Sequence, residues 1–219
     1  MDEDGSFTIE AKAFEVVLPT NGGVSFILCG ASRSGKTTLL KYIYKTHFRK
    51  HITTMFSLNT QAAIYKDLDS KIIVCPEFLP ELLDEAHTIN VKTDNKFNFL
   101  FISDDVVGGR IKHDEQITRL LTIYRNACCS SIFSFQGRTL LNPVGRGNAN
   151  FICLMSQNTP QEIVNVIKEF LDGYLPVGLT MPEKVRYYMA ATRDHQFFCI
   201  DNINGLCFLT KLSRAQAGL

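Results

Sequence analysis

GASRSGKT, residues 30–37, is the stretch from which the rest of this chain is read. It fills every fixed position of the phosphate-cradle pattern GxxxxGK[ST], through Gly30, Gly35, Lys36 and Thr37. With glycine near 7% of average usage, a chance match arises in on the order of 1% of chains this long. Its flanks also suit the mechanism, since an apolar run, SFILC, enters it and a helical pattern, KTTLLKYIYK, leaves it. The glycines let the backbone curl, so that Gly30, Ala31, Ser32, Arg33, Ser34, Gly35, Lys36, Thr37 and Thr38 can turn polar groups toward a polyphosphate. The helix start adds a favourable dipole for the anion. Lys36 is expected to reach the β- and γ-phosphates of ATP, and the Thr37 hydroxyl to bind Mg2+.

About sixty residues downstream, NFLFISDD (residues 98–105) is an apolar strand ending in two carboxylates. A buried strand that lifts acids to the carboxyl edge of a sheet beside a phosphate cradle is the Walker B arrangement. Asp104 is assigned to the magnesium shell and Asp105 to orienting and polarising the attacking water. The same residues also spell DxxG, through Asp105 and Gly108, which is a GTPase switch element. A GTPase then needs an NKxD motif downstream, whereas the sole NK, Asn95-Lys96, lies upstream and lacks the aspartate. The guanine reading loses. A small-molecule kinase needs an Arg-rich lid, and no such cluster is present.

A third polar position closes SSIFSFQG, residues 130–137. Where an additional strand lies between the Walker A and Walker B strands, a polar residue at its tip senses the γ-phosphate. Gln136 suits that role, hydrogen-bonding both phosphate and lytic water. Arg119, Arg125 and Arg146 are candidate arginine fingers, and such a finger is often donated by a neighbouring subunit. Arg125 is the preferred one, although the dipole of a helix end also favours a cation there.

The surrounding pattern is α/β: short apolar runs alternate with helical stretches, as in a mostly parallel sheet flanked by helices. Strands are expected at 24–29, 53–58, 71–75, 97–103, 131–135 and 149–155. A C-terminal β-hairpin is expected from Phe197–Asp201 and Leu206–Lys211, turning at INGL because Asn-Gly tolerates positive φ. Helices are expected at 36–45, 80–89, 114–126, 160–171 and 182–192. Thr159, Pro160 and Glu162 form a helix-start signature. Residues 1–20 are read as an N-terminal extension with an edge strand near 7–17. The whole chain of 219 residues is read as one P-loop NTPase domain of the ASCE type, the class with that additional strand.

Composition narrows the partners. Net charge is +1, so any nucleic-acid surface must be local. Seven cysteines at irregular spacing, Cys128 and Cys129 adjacent, suggest a reduced intracellular chain rather than a disulfide scaffold. The start, MDEDGSFTIE, is acidic where a signal peptide is basic, and no apolar run approaches a membrane span. No membrane partner is expected.

Together, GASRSGKT, FLFISDD, YRNACCSSIFSFQG and GRGNANFICLMSQNTPQEIVNVIKEF resemble the FtsK–HerA superfamily. Within it the chain is similar to the poxvirus-type DNA-packaging ATPases of large double-stranded DNA viruses and virophages. In that group a helix ends in Arg followed by His or Asn, and the next strand ends in Gln; the matching positions are Arg125, Asn126 and Gln136. Arg146, Asn148 and Glu162 follow in the same order. Asn126 departs from the histidine that is commoner in the viral group.

The resemblance implies a homo-oligomeric ring, pentamer or hexamer, that hydrolyses ATP to move double-stranded DNA into a preformed capsid. Capsid proteins are then partners, and the host cytoplasm (the viral factory) or the virion is the setting. For DNA contact the local candidate is GGRIKH, residues 108–113, with Arg110, Lys112 and His113 tracking phosphates. The basic stretch KTHFRKH, residues 45–51, is explained more simply by charge complementarity at a helix end.

Overall fold

Strands covered on both faces read as continuous apolar runs, and β2 (Ser25–Cys29) is buried at every residue. The computed structural model describes residues 11–57, 68, 71–104, 115–136 and 143–218. Within these, β2 sits inside a nine-stranded sheet with β1 (Lys12–Ala13), β3 (Ile52–Ser57), β4 (Ile73–Cys75), β5 (Phe99–Asp104), β6 (Cys129–Phe135), β7 (Phe151–Leu154), β8 (Phe197–Asp201) and β9 (Leu206–Lys211). The spatial order is β1-β9-β8-β7-β2-β6-β5-β3-β4. Neighbours are parallel except at β7–β8 and β8–β9, so β8 alone runs against the others.

Two features of this order position the site. First, β6 lies between the P-loop strand β2 and the acidic strand β5, which is the additional strand expected of the ASCE class. Second, because β8 is reversed, the tip of the β8–β9 hairpin lies at the amino edge of the parallel strands. Its two free ends therefore return to the carboxyl edge, on the same side as the P-loop.

Alternation along each strand divides the core into two layers. Phe26 and Leu28 of β2 pack with Leu39, Leu40 and Ile43 of α1 (Lys36–Ile43) and with Phe151 and Phe197. Ile27 and Cys29 point to the opposite layer. There they meet Leu83 of α2 (Pro80–Lys92), Leu120 and Leu121 of α3 (Glu115–Thr122), Ile163 of α5 (Pro160–Val166) and Tyr188 of α6 (Met181–Ala191). Each such side chain contributes roughly 1.5–3 kcal/mol by leaving water. The sheet is thereby fixed rigidly enough to hold loops at its edge. Two short helices, α4 (Pro143–Asn148) and α7 (Arg214–Ala217), were not anticipated from the sequence.

The other expectations hold with shifted ends. The helix starts at Lys36, Pro80 and Pro160 are as read, and α1 and α5 run on as π-helical turns, Tyr44–Phe48 and Ile167–Leu171. Thr159 Oγ1 accepts from the Glu162 amide at 3.2 Å while Glu162 Oε2 accepts from the Thr159 amide at 3.1 Å, the reciprocal cap. The stretch at 114–126 divides: α3 stops at Thr122 and a 3₁₀ turn, Tyr124–Ala127, carries Arg125. The edge strand read at 7–17 is two residues long within the described part, and it pairs in parallel with β9. In the hairpin, positive φ falls on Gly205 and not on Asn204, because Asp201 Oδ1 holds the turn by accepting from the amides of Ile203 and Asn204 at 2.9 and 3.1 Å. All seven cysteines are free thiols. No helix among the described residues is long and apolar enough to cross a membrane.

Candidate nucleotide-binding site

The P-loop grows directly from β2 and is tied to both neighbouring strands. Gly30 donates its amide to the Phe135 carbonyl at 3.1 Å, and Ala31 donates to the Ser156 carbonyl at 2.8 Å. The first bond fixes the end of β6 against the loop, so that Gln136, the next residue, emerges beside it. Glycine is required at Gly30 for room. A Cβ there would lie 2.6 Å from Ser34 Oγ and 2.7 Å from Met155 Cβ. At Gly35 it is required for conformation, since φ is +102°. Arg33 also adopts a left-handed conformation, with φ of 64°. This is the curl that turns successive N–H groups toward one point.

Lys36 is 5% exposed, and its Nζ donates to the carbonyls of Gly30 and Ala31, both at 2.8 Å. The ammonium is thus held inside the loop at the start of α1. Thr37 follows it half-buried, while Thr38, Ser32 and Arg33 are exposed. Asp104 ends β5 and is 7% exposed. Its register partner on β6 is Ser134, which in turn pairs with Leu28 of β2. Two strand spacings, about 10 Å, therefore separate the backbone of Asp104 from that of β2. A hydroxyl from Thr37 and a carboxylate from Asp104 on either side of a phosphate cradle are hard oxygen donors of the kind Mg2+ takes. That ion is commonly held by one or two protein groups with waters and substrate phosphates completing the shell, so the residues fit it.

Cys29, at the root of the loop, is a packing residue: burial pushes its thiol up to about 11. Asp105 and the basic loop at 108–113 lie outside the described residues, as does the side chain of Arg146. Arg119 is engaged elsewhere, its guanidinium 5.4 Å above the Tyr124 ring.

Arg125 is not near the P-loop of its own chain. Its carbonyl accepts from the Gly23 amide at 2.6 Å, just before β2 begins, and its guanidinium donates to the Asn148 carbonyl at 3.1 Å, just before β7 begins. It stands at the amino edge of the sheet. Seven residues of β6 separate that edge from Gln136, roughly 23 Å at strand rise. It lines a polar cavity of about 460 Å³ with Asn126, Asn148, Asn150 and Asn202.

Sequence reasoning missed the segment that covers the P-loop from the other side. Arg193–His195 is a 3₁₀ turn just before β8, with positive φ at both Asp194 (52°) and His195 (59°). His195 Nδ1 lies 3.3 Å from the Ser34 carbonyl, and its ring is 3.4 Å from where a Gly35 Cβ would stand. Two consecutive left-handed residues without glycine leave no pattern a sequence reading can find.

No protein-family model matches the sequence, and no curated protein matches it. Solved structures do. The DNA-packaging ATPase B204 of Sulfolobus turreted icosahedral virus superposes with a TM-score of 0.64 at 16% identity, covering 89% of this chain and 100% of B204. The genome packaging NTPase B204 of Sulfolobus turreted icosahedral virus 2, in complex with AMP, gives 0.62 at 17% identity with the same coverage. The pCW3 conjugation coupling protein TcpA, with ATPγS, gives 0.53 at 10% identity, covering 91% of this chain and 63% of TcpA. The chain therefore has the fold of these ATPases, and the resemblance read from its motifs holds at the level of the fold.

Proposed function

We propose that this chain is an ATP-hydrolysing motor that moves double-stranded DNA during viral genome packaging. The observation that carries the reading is the convergence of Lys36, Asp104 and Gln136 on one edge of the sheet, from three adjacent strands in the order β2-β6-β5. Its support from outside is the likeness, over nearly the whole chain, to compact viral packaging NTPases.

The loop amides and Lys36 bind the β- and γ-phosphates, the ammonium exchanging carbonyl partners for phosphate oxygens. Thr37 and Asp104 would hold Mg2+, which when bound would neutralise charge on the transferring phosphate. Asp105 orients and polarises the attacking water. Gln136 donates to the γ-phosphate and accepts from that water, which aligns the two for in-line attack.

Arg125 acts in a second copy's site. A side chain held at the amino edge cannot cross a seven-residue strand to its own γ-phosphate. It can meet the nucleotide of a neighbour whose carboxyl edge packs against that side. Sites shared in this way require more than one copy of the chain, and the family resemblance implies a homo-oligomeric ring, a pentamer or hexamer. The loop at 108–113 directly follows the Walker B acids, and its Arg110, Lys112 and His113 are assigned to DNA phosphates. Capsid proteins dock the ring, in the host cytoplasm or the virion.

Translocation itself is tested by displacement of a third-strand oligonucleotide from linear duplex DNA. Release is expected with ATP and absent with a non-hydrolysable analogue. No release with ATP at any subunit concentration would contradict the motor reading.

A further inference from the structure

Asp104 stands in a row of short polar residues that crosses the sheet. At the last register position of β5 it pairs with Ser57 of β3 on one side and Ser134 of β6 on the other, and Ser134 pairs onward with Leu28 of β2. Register partners on parallel strands face the same side. Two residues back along each strand, Met55, Ile102 and Ile132 lie with Leu28 in the layer under α1. Ser57, Asp104 and Ser134 therefore face α1, the helix whose first turn carries Lys36 and Thr37. All three are buried, Ser134 completely, at 0% exposure. Of the two serines, Ser134 is the one on the P-loop side of the carboxylate.

Among the described residues, Ser134 Oγ has no hydrogen-bond partner. Burying a hydroxyl unpaired is unfavourable, so each such group calls for an explanation. Ser103 and Ser131 also carry unpartnered hydroxyls, but their positions alternate to the opposite layer, with Phe101 and Phe133, away from α1. Of the three, Ser134 alone shares a face with an acid of the candidate site.

Resting on the proposed role of Asp104 toward Mg2+, we infer that Ser134 is a positioning residue for that carboxylate: its hydroxyl donates to one Asp104 oxygen and so aims the other at the metal. Adjacent strands lie about 5 Å apart, within reach of a serine that turns about its Cα–Cβ bond between staggered wells. The chemistry is complementary, since serine has one proton to donate and an ionised carboxylate only accepts. A hydrogen bond to an ionised group is about twice as strong as a neutral one. A carboxylate that ligates a metal is itself held by such outer bonds, and losing one typically costs about 10–100-fold in metal affinity. Ser134 acts on the metal through Asp104 and makes no contact with the nucleotide.

The test measures binding of β,γ-methylene ATP by calorimetry, once with Mg2+ and once with EDTA, together with thermal melting in the absence of metal and nucleotide. Ser134→Ala is expected to cut the Mg2+-dependent gain in affinity by about tenfold and to leave the affinity in EDTA within about twofold. It should melt at or above the parent temperature, because the hydroxyl it removes is buried without a partner. In an Asp104→Asn background the same change should add no further loss, since the two side chains act as one unit. A Ser134→Ala chain that keeps the full gain, loses affinity equally in EDTA, or melts below the parent overturns the positioning role. The metal role of Asp104 still stands in that case if Asp104→Asn abolishes the gain. If Mg2+ does not tighten binding to the parent, or Asp104→Asn keeps the gain, the metal role of Asp104 and this inference fall together.

Discussion

The two edges of the central sheet are both polar, yet they differ in what they can complete alone. At the carboxyl edge, the loop amides, Lys36, Asp104 and Gln136 converge, and the turn before β8 rests on the loop through His195 and the Ser34 carbonyl. At the amino edge, the Arg125 carbonyl accepts from the Gly23 amide and its guanidinium donates to the Asn148 carbonyl, beside an asparagine-lined cavity. The first edge is the proposed seat of the nucleotide within one chain. The second holds the Arg125 guanidinium that is proposed to act on another chain's nucleotide. On the proposed reading, division of the site between opposite edges of one sheet would make hydrolysis depend on assembly.

That contrast is sharpened by variants at each edge. Lys36→Ala is expected to have the largest effect, abolishing tight ATP binding and turnover together; near-parent affinity for a Mg-ATP analogue by calorimetry would break the cradle assignment. Arg125→Ala should lower turnover by about 10³-fold or more, the scale of a lost arginine finger, with ATP affinity unchanged. Mixing the two inactive variants should restore part of the activity, because some interfaces then pair an intact cradle with an intact finger. A mixture as inactive as its components would contradict action of Arg125 across the subunit interface. Asp105→Asn is expected to bind ATP normally and turn it over about 10²-fold or more slowly, measured in single-turnover assays.

A smaller, structural pair probes the same two edges. A Cβ at Gly23 would stand 2.1 Å from the Cys129 carbonyl oxygen, so Gly23→Ala should force the Arg125 turn away and destabilise the fold by about 1–3 kcal/mol. Thr159→Ala removes the reciprocal cap with Glu162 at the carboxyl edge and should cost about 1 kcal/mol in denaturant melts.

Legibility in the sequence followed the same division. The loop, its strand and its helix are local, and each carries its own signature, so residues 24–29 and the start at Lys36 were readable directly. The hairpin strands were readable because two apolar runs bracket an Asn-Gly turn. What was not readable is what depends on through-space arrangement. Arg125 is adjacent in sequence to the strand that ends in Gln136, but strand length puts the two at opposite edges. The helix α4 is built on PVGRGN, where two glycines oppose helix propensity; packing against α3 supports it. The turn at Asp194 and His195 depends on backbone angles that those residues adopt only under the constraint of the adjoining loop.

The most direct measurement is ATP turnover with and without linear double-stranded DNA across a range of subunit concentrations. The account expects turnover to rise steeply with subunit concentration and to rise further with DNA, as for a ring whose sites are completed by neighbours. Turnover per chain that is constant across concentration and indifferent to DNA would contradict a shared-site DNA motor and leave a self-contained nucleotidase.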